Sequence, residues 1–406
     1  FKFLKDKNEL YLFDDNQKIN LKFIKKPINF KEVYKINFDI IIISPGIDII
    51  NCKLSKFLKK NLSKIYTDLD IFYSFYNNET ITITGTNGKS TTAKILYDVL
   101  LDQNKDVRLV GNIGKPVLSE KKITKNTTFV IEASSYQLDY SKIFSTKYAI
   151  ILNISPDHIE RHKSLRNYTN AKFKLLNSQT QQSIAFVKKD DAVINKKIQN
   201  SNFKQKIFKV NTLNSDKVLK HLDNKYFFSE GNKENLSFVL KIAENLKLKK
   251  KKLLKTLNKF KGLKYRQQII FDNKYLTIIN DSKSTSFASS ENLLKNLNDI
   301  YWILGGIPKK GDKFRISKKQ CKNFKAFIFG KYYKEFNKNL QNKITPQKFK
   351  NLNEILHKIF LEIKKQKRKK NIILFSPAGA SFDSFKNFED RGYYFNQLIK
   401  KFINAK

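Results

Sequence analysis

The sequence predicts an α/β protein of three domains. Short β-branched and aromatic runs alternate with lysine-rich amphipathic stretches along the 406-residue chain, as in parallel sheets that are covered by helices. The length allows about two to four domains of ordinary size. Apolar residues make up 40% of the chain and charged residues 29%, a composition that excludes an intrinsically disordered protein.

The predicted elements divide the chain into residues 1–76, 77–262 and 263–406. A polar segment, Asn77-Asn78-Glu79, separates the first domain from the strand that follows. The predicted strands are 10–13 and 38–43 in the first domain, 80–84, 129–132, 148–153 and 184–187 in the second, and 276–280, 301–304, 326–329 and 372–376 in the third. Helices are predicted over 93–101 and 246–260, the latter as an ordinary surface helix with lysines on its polar face.

The charge balance is strongly basic, with 80 Lys and Arg against 36 Asp and Glu, a formal net charge of +44. Such a charge by itself favours a nucleic acid or an anionic membrane as partner. However, 73 of the 80 are lysine and only seven are arginine, and arginine is preferred for bidentate phosphate and base recognition. The lysines accompany abundant Asn, Ile, Phe and Tyr, which is typical of an AT-rich genome. We therefore interpret the charge as compositional drift and expect no specific nucleic-acid partner.

The two cysteines, Cys52 and Cys321, lie far apart, which excludes a disulfide framework or a cysteine-based zinc site and fits a reducing compartment. No apolar run approaches the ~20 residues needed to span a bilayer. These observations predict a cytoplasmic protein with no membrane partner.

A phosphate-binding loop is the strongest local motif. Residues 81–92 read ITITGTNGKSTT, a β-branched strand followed by a glycine loop that opens a helix. Backbone N–H groups and the helix dipole face phosphates in such a loop, the lysine neutralises them, and the hydroxyl binds Mg²⁺. The alternative is a glycine turn beside an incidental lysine. The predicted ATP-binding residues are Gly85, Thr86, Asn87, Gly88, Lys89, Ser90 and Thr91.

Two further polar residues follow predicted strands. Glu132 lies at the carboxyl end of one strand, where open α/β sheets bind ligands; the alternative is a solvated strand-end acid. His158 lies in a Ser-Pro-Asp-His turn after another strand, and its alternative role is to cap the next helix. The remaining histidines, His162, His221 and His357, are expected on the surface.

Six segments carry a resemblance to a known family. They are TGTNGKSTT at 84–92, SPGI at 44–47, GNIG at 111–114, EASSYQLD at 132–139, NISPDHIERH at 153–162 and SPAGASFDSFKNFEDRG at 376–392. In this order they resemble the Mur ligases, and the phosphate loop is also similar to that of the folylpolyglutamate synthases. The segment at 376–392 favours the D-glutamate-adding members of the Mur ligases.

The resemblance implies a Rossmann-like N-terminal domain for a UDP-sugar, a central phosphate-loop ATPase-type domain, and a Rossmann-like C-terminal domain for an amino acid. The implied activity is ATP-dependent addition of D-glutamate to UDP-N-acetylmuramoyl-L-alanine (UDP-MurNAc-L-Ala) through an acyl phosphate, in peptidoglycan precursor synthesis, by a monomer. Two alternatives stay open, a related amide ligase that adds another amino acid and a degenerate basic protein that binds nucleic acid.

The resemblance also implies roles for single residues. Lys89, Glu132, His158 and Lys172 would be catalytic, and Ser90, Glu132, His158 and Lys172 would hold two Mg²⁺ ions, with Lys172 carbamylated. Further ATP contacts would come from Asn232, Asn235, Arg266 and Asp281, and UDP-sugar contacts from Asp14, Ser44, Pro45, Gly46 and Asn112. D-Glutamate would be bound by Lys283, Thr285, Lys309, Ser381, Phe382 and Phe388, with Lys310 as the alternative to Lys309; Phe388 is also a plausible core residue.

Three departures from the family pattern stand out. The chain starts at Phe1 without the expected strand and glycine-rich turn, so we expect that about twenty residues precede it, most of one βα half-unit. Gly231 stands where the family carries a histidine. Lys264 and Tyr265 replace a proline and a histidine before Arg266, which makes that junction less rigid. Since the loop and the metal residues are intact, activity is expected to be retained.

Overall fold

A computed structural model describes residues 3–4, 8–14, 27–295, 297–309, 311–365 and 370–404. The chain forms two compact units, one made of residues 1–224 and 232–258 and the other of 225–231 and 259–406. Both units are built of sheets and helices, so the predicted α/β class is confirmed. The domain limits at 76/77 and 262/263 stay predictions.

The first unit contains a two-stranded and a six-stranded sheet, both parallel. The large sheet has the order β4-β5-β3-β6-β7-β8. The strands are β1 Ile41–Ile42, β2 Ile65–Tyr66, β3 Thr80–Thr84, β4 Val107–Gly111, β5 Thr128–Glu132, β6 Tyr148–Ile151, β7 Ile184–Lys188 and β8 Lys206–Val210. Every residue of β3, β5 and β6 is buried, as expected of parallel strands that are covered on both faces.

The helices between these strands bury one apolar face each. They are α1 Phe30–Val33, α2 Ser55–Lys60, α3 Asp68–Phe75, α4 Lys89–Asp102, α5 Ser135–Tyr140, α6 Ile159–His162, α7 Leu165–Asn177, α8 Ala192–Gln199, α9 Asp216–Leu219, α10 Glu230–Asn245 and α11 Lys250–Lys259. One core cluster joins Phe72 of α3 and Phe173 of α7 to the strand residues Phe129 and Ile151. This packing sets the carboxyl ends of β3, β5 and β6 side by side.

The second unit has a six-stranded sheet of order β14-β13-β11-β15-β10-β9, in which only the edge strand β9 is antiparallel, and a two-stranded sheet β12-β16. Its strands are β9 Gln268–Asp272, β10 Leu276–Asn280, β11 Ile300–Gly305, β12 Ile307–Pro308, β13 Phe324–Phe329, β14 Gln347–Phe349, β15 Asn371–Phe375 and β16 Gly379–Ala380. Its helices are α12 Phe287–Leu294, α13 Tyr333–Leu340, α14 Leu352–Lys365 and α15 Phe388–Asn404. Core clusters cover both faces of the large sheet.

Three predicted elements differ from the structure by more than their bounds or begin several residues late. Residues 10–13 form no strand, since among the described residues a single backbone hydrogen bond, from the Ile28 N–H to the Leu12 carbonyl, joins them to a neighbouring segment. Only Ile41–Ile42 of the predicted strand 38–43 pairs, because its partner is two residues long. The helix predicted over 246–260 begins at Lys250, because Lys247 adopts a left-handed conformation with φ +52°. Within the described part of the chain, no helix is long and apolar enough to cross a membrane.

Candidate functional site

The phosphate loop follows β3, at the point where the strand order of the large sheet reverses. The chain runs from β3 past β5 to β4, returns to β5, and then places β6 on the other side of β3. Such switch points are where open α/β sheets bind ligands. Gly88 has φ +84° and stands at the N-cap of α4. The first N–H groups of α4 have no acceptor within the helix, so they can bind an anion.

Two lysines meet inside the loop. The Lys89 Nζ donates to the carbonyls of Gly85 and Thr86, each at 2.9 Å, and the Lys172 Nζ donates to the same Gly85 carbonyl at 2.8 Å. Lys172 is 1% exposed and lies over the Tyr168 ring, 4.4 Å from its centroid. Burial, followed by the charge of Lys89, lowers the pKa of Lys172 well below its ordinary value, against opposing effects of Asp157 and Glu132. The structure therefore disfavours the charged ammonium at this position relative to an exposed lysine.

Glu132 closes one side of the same pocket. It is 1% exposed, so it is not a solvated strand-end acid. Its Oε1 accepts from the Asn112 Nδ2 at 2.9 Å, whereas its Oε2 is buried without a hydrogen-bond partner among the described residues. Ser90, the second residue of α4, is also buried. A buried carboxylate oxygen with no hydrogen-bond partner among the described residues fits the hard-oxygen preference of Mg²⁺. The described residues contain no group of three or more His, Cys, Asp and Glu that could hold a metal by themselves.

His158 is held by its surroundings rather than by a helix cap. It directly precedes α6 with φ +52°, and its side chain makes no capping bond to that helix, so the capping alternative is wrong. The Nδ1 atom lies 2.9 Å from the Tyr136 hydroxyl, and Nε2 lies 3.4 Å from an oxygen of Asp157. Tyr136 belongs to α5, which starts just after Glu132, so both predicted catalytic residues depend on the same segment.

The prediction that His162 lies on the surface is wrong. His162 is 5% exposed, and its Nε2 lies 3.0 Å from the Ser135 hydroxyl. The short helix α6 turns this ring inward, where it packs against the rings of Tyr136 and Tyr168. Burial lowers its pKa, which keeps the ring neutral. The other two histidines, His221 and His357, are exposed as predicted.

Asn232 and Asn235, on the first turns of α10, are both buried beside the loop. Asn235 Oδ1 accepts from the Thr92 hydroxyl at 3.2 Å, and a Cβ on Gly88 would lie only 2.1 Å from the same oxygen. Asn235 therefore packs directly on the loop backbone. Asn232 Oδ1 lies 3.4 Å from the Asn235 Nδ2. Gly231 has open space around it.

The segment predicted to bind the UDP-sugar is tied to the His158 turn by an arginine that sequence reasoning missed. Ser44 and Gly46 are exposed, whereas Pro45 and Asp14 are half-buried. Arg161 of α6 donates to the Ile47 carbonyl at 2.6 Å and forms an ion pair with Asp48 at 2.8 Å, without hydrogen-bond geometry. A basic residue in the segment 153–162, three residues after His158, was the available signal.

The residues predicted for the second unit gather at the carboxyl edge of its sheet. Asp281 follows β10 and is 6% exposed. Its carboxylate accepts from the Gln267 N–H at 3.1 Å and from the Ser376 hydroxyl at 3.0 Å. Burial raises the pKa of Asp281 to about 7, although hydrogen bonds and the charges of Arg266 and Arg391 act in the opposite direction.

The Phe388 ring contacts two residues that were predicted to bind substrates, and Phe388 is not a core residue. It is half-buried, and the cations of Lys283 and Arg266 lie over its ring, 4.3 and 5.8 Å from the centroid, within range of a cation–π interaction. Ser381 is buried and Phe382 is 72% exposed. Thr285 and Lys309 are half-buried; Lys310 lies outside the described residues.

Arg391 was missed at the sequence level. It is completely buried, and its guanidinium donates to the Ser282 and Gly379 carbonyls at 2.7 and 2.9 Å and to the Ser282 hydroxyl at 3.1 Å. Burial lowers its pKa to about 10. The side chain thus joins the turn after β10 to the motif at 376–392. The signal was an arginine within that motif, but nothing in the sequence distinguished it from a surface residue.

Strand, glycine loop and helix, with a buried carboxylate and two lysines beside them, define the first unit as a phosphate-loop nucleotide-binding protein. Residues 83–253 match the Mur ligase middle domain. A UDP-N-acetylmuramoylalanine–D-glutamate ligase from Petrotoga mobilis is 32% identical, with 98% of this chain and 96% of that protein covered. One of the same name from Rickettsia prowazekii is 30% identical over 98% and 94%. The structure of the MurF ligase from Thermotoga maritima, solved with ADP, shares the fold with a TM-score of 0.58 at 15% identity, over 86% of this chain and 92% of that chain. The chain therefore belongs to the Mur ligase family, among its UDP-N-acetylmuramoylalanine–D-glutamate ligases.

Proposed function

We propose that this protein is an ATP-dependent ligase that joins D-glutamate to UDP-MurNAc-L-Ala in peptidoglycan precursor synthesis. The observation that carries the proposal is the phosphate loop with Lys89, Lys172 and Glu132 converging on it, in a chain whose relatives bear the name of this ligase. We further propose that the reaction takes place in the cytoplasm.

The reaction needs two steps because a carboxylate is a poor electrophile. In the first step, an oxygen of the L-alanyl carboxylate attacks the γ-phosphorus of ATP, so that a P–O bond to ADP breaks and an acyl phosphate forms. In the second step, the amine of D-glutamate attacks the acyl carbon, phosphate leaves, and the amine loses a proton as the amide forms. Positioning and charge neutralisation account for most of the catalysis of phosphoryl transfer.

The loop residues bind and neutralise the phosphates. When ATP enters, the Lys89 ammonium can exchange its two loop carbonyls for the β- and γ-phosphate oxygens, while the N–H groups at the start of α4 bind the same phosphates. Ser90, Glu132, His158 and Lys172 would hold Mg²⁺, which supplies further neutralisation of phosphate charge. Asn112 orients the Glu132 carboxylate through its amide and would contact the UDP-sugar.

Lys172 fits this set only if its charge is removed. Burial lowers the pKa of Lys172, which makes the neutral amine easier to reach, and the neutral amine is the nucleophile that carbamylation requires: the nitrogen lone pair attacks CO₂, one proton leaves, and a carbamate anion results. The product carries oxygen atoms beside Glu132, which Mg²⁺ prefers as ligands. We propose that this modified lysine completes the metal site.

The second unit would bind the amino acid. Lys283 and Lys309 offer cations for the carboxylates of D-glutamate, Ser381 and Thr285 offer hydroxyls, and Phe388 covers the aliphatic part. Asp281 and Arg266 would contact ATP.

Replacement of Lys89 by alanine tests the proposal. Phosphate release from ATP should require both UDP-MurNAc-L-Ala and D-glutamate, and Lys89→Ala should lower the rate at least about 10²-fold, the scale of losing one preorganised charge partner. The same assay is repeated with L-glutamate, L-alanine or D-alanine in place of D-glutamate. Full activity of Lys89→Ala would refute the ATP site, turnover with another amino acid but not D-glutamate would refute the substrate, and tight salt-dependent DNA binding without phosphate release would support the nucleic-acid alternative.

A further inference from the structure

A side chain after β6 holds the phosphate loop from the outside. The main-chain carbonyl of Asn153 accepts from the Thr86 N–H at 2.9 Å, and its side-chain Oδ1 accepts from the Asn87 N–H at 2.9 Å. The Asn153 Nδ2 donates back to the Asn87 carbonyl at 3.3 Å. One residue thus bonds to three backbone groups on two successive loop residues, and the sequence motifs predicted no role for it.

The orientation of the Asn153 amide is set by an acid on α10. The Glu234 Oε1 accepts from the Asn153 Nδ2 at 2.6 Å, and an ionised carboxylate can only accept. The Nδ2 must therefore face Glu234, which leaves Oδ1 towards the Asn87 N–H. Lys188, at the end of β7, pairs with the other Glu234 oxygen at 2.5 Å and compensates a negative charge that would otherwise lie near the phosphates.

We infer that Asn153, Glu234 and Lys188 form a chain of side-chain contacts, called the relay below, that holds the loop backbone in the conformation that binds phosphates. Asn153 accepts from the N–H groups of Thr86 and Asn87, so the loop backbone is fixed and the N–H groups at the start of α4 remain for the anion. Helix α10 contacts the loop at a second point, because Asn235, the residue after Glu234, packs on Gly88. Asn153 is a positioning residue, since it acts on ATP through the loop. The inference rests on the proposed ATP site.

Four variants of the full chain test the relay, with ATP affinity measured by titration calorimetry in MgCl₂ without UDP-sugar. Asn153→Ala removes the side-chain bonds and should weaken ATP binding about tenfold, the equivalent of one charge-assisted hydrogen bond. Asn153→Asp should weaken it at least as much, because the introduced carboxylate cannot donate and faces Glu234. Adding Glu234→Gln to Asn153→Asp lets the introduced carboxamide donate to the introduced carboxylate, so most of the lost affinity should return.

The fourth variant separates the relay from simple charge repulsion. Glu234→Gln added to Asn153→Ala has no side chain to orient, so the relay predicts no rescue, whereas repulsion of ATP by Glu234 predicts rescue in both backgrounds. Glu244→Gln is the matched control, since Glu244 lies on the same helix, is 70% exposed and pairs with Lys241. The ATP affinity of this variant should equal that of the wild type.

Kinetics supply a second readout. The KM for ATP should rise in Asn153→Ala while the KM for D-glutamate stays unchanged, a split that general destabilisation would not produce. Wild-type affinity in both Asn153 variants, or rescue by Glu234→Gln in both backgrounds, would overturn the relay alone. Failure of the wild type to bind ATP would overturn the proposed function and the relay with it.

Discussion

Asp70 offers a sharp test of how the first unit is held together. It lies on α3, is completely buried, and accepts six hydrogen bonds. Two come from Thr67, as a capping box at the start of α3. The other four come from the segment after α5: the Ser141 hydroxyl at 2.7 Å and the N–H groups of residues 142, 143 and 144 at 2.9–3.0 Å. One carboxylate therefore joins two segments that lie 71 residues apart in the chain.

The change Asp70→Asn should lower the free energy of unfolding by about 3 kcal/mol. The introduced carboxamide keeps one acceptor oxygen for the 141–144 segment but turns an NH₂ group towards the buried N–H of Thr67, and an unpartnered buried donor costs about 1–3 kcal/mol. The bonds to the remaining oxygen lose their ionic character, which roughly halves their strength. Part of this loss is offset because a buried charge no longer has to be desolvated.

The pH dependence of the free energy of unfolding in the acid range provides a second test of Asp70. Burial alone would raise the pKa of Asp70, but the hydrogen bonds from Thr67, Ser141 and the neighbouring N–H groups outweigh it and lower the pKa. The stabilisation is thus present above the ordinary pKa of an aspartate and is lost as the pH falls through the lower folded value. The difference between wild type and Asp70→Asn should shrink in that range.

Calorimetry and urea unfolding from pH 7 to pH 2 measure both effects. The control is Asp190→Asn in the same unit: this side chain is exposed, so neutralising it should leave stability within about 0.5 kcal/mol of the wild type, as at surface sites away from critical networks. Equal stability of Asp70→Asn and wild type at pH 7, or a difference that persists unchanged at pH 2, would refute the reasoning.

Two further changes test the candidate sites. Gly88→Ala should weaken ATP binding at least about tenfold, because φ is +84° and the added Cβ would lie 2.1 Å from Asn235 Oδ1; left-handed strain alone costs about 1–2 kcal/mol. Calorimetric titration measures the ATP affinity of this variant against that of the control Gly231→Ala, whose position has open space around it. Equal affinities of the two variants would contradict the prediction. Asp281→Asn should flatten the pH dependence of the melting temperature. Because the folded pKa is about 7 and the unfolded one about 4, the folded protein retains a proton between these values, so wild-type stability falls as the pH rises through this window; an unaltered slope in the variant would contradict the assignment.

Regular, locally encoded elements were predictable. The strand 80–84, the glycine loop and the helix after it follow from β-branched residues, Gly88 and helical spacing, and all three are present. The strand predicted at residues 10–13 is absent, because a strand forms only when a partner pairs with it, and local sequence does not show whether a partner is present. The helix starting at Lys250 shows the same limit, since the left-handed turn at Lys247 carries no glycine signal.

The site residues that could be predicted are likewise those with a local sequence signal. Lys89 and Glu132 stood out because a glycine loop or a strand end precedes each of them. Asn153, Arg161 and Arg391 did not stand out, because their roles depend on partners 66 or more residues away: Asn87, Ile47 and Ser282. His162 was misjudged for the same reason, since the inward turn of α6 decides its burial.

Sequence alone determined the α/β class, the phosphate loop and, through its motifs, the resemblance to a ligase family, because these are encoded by residues close together in the chain. Only the tertiary structure decided what each charge does. Among 73 lysines of similar sequence context, burial beside Lys89 singles out Lys172, and a carboxylate on a distant helix orients Asn153. Desolvation and hydrogen bonding depend on what packs around a group, and that is set by the three-dimensional fold rather than by neighbours in the chain.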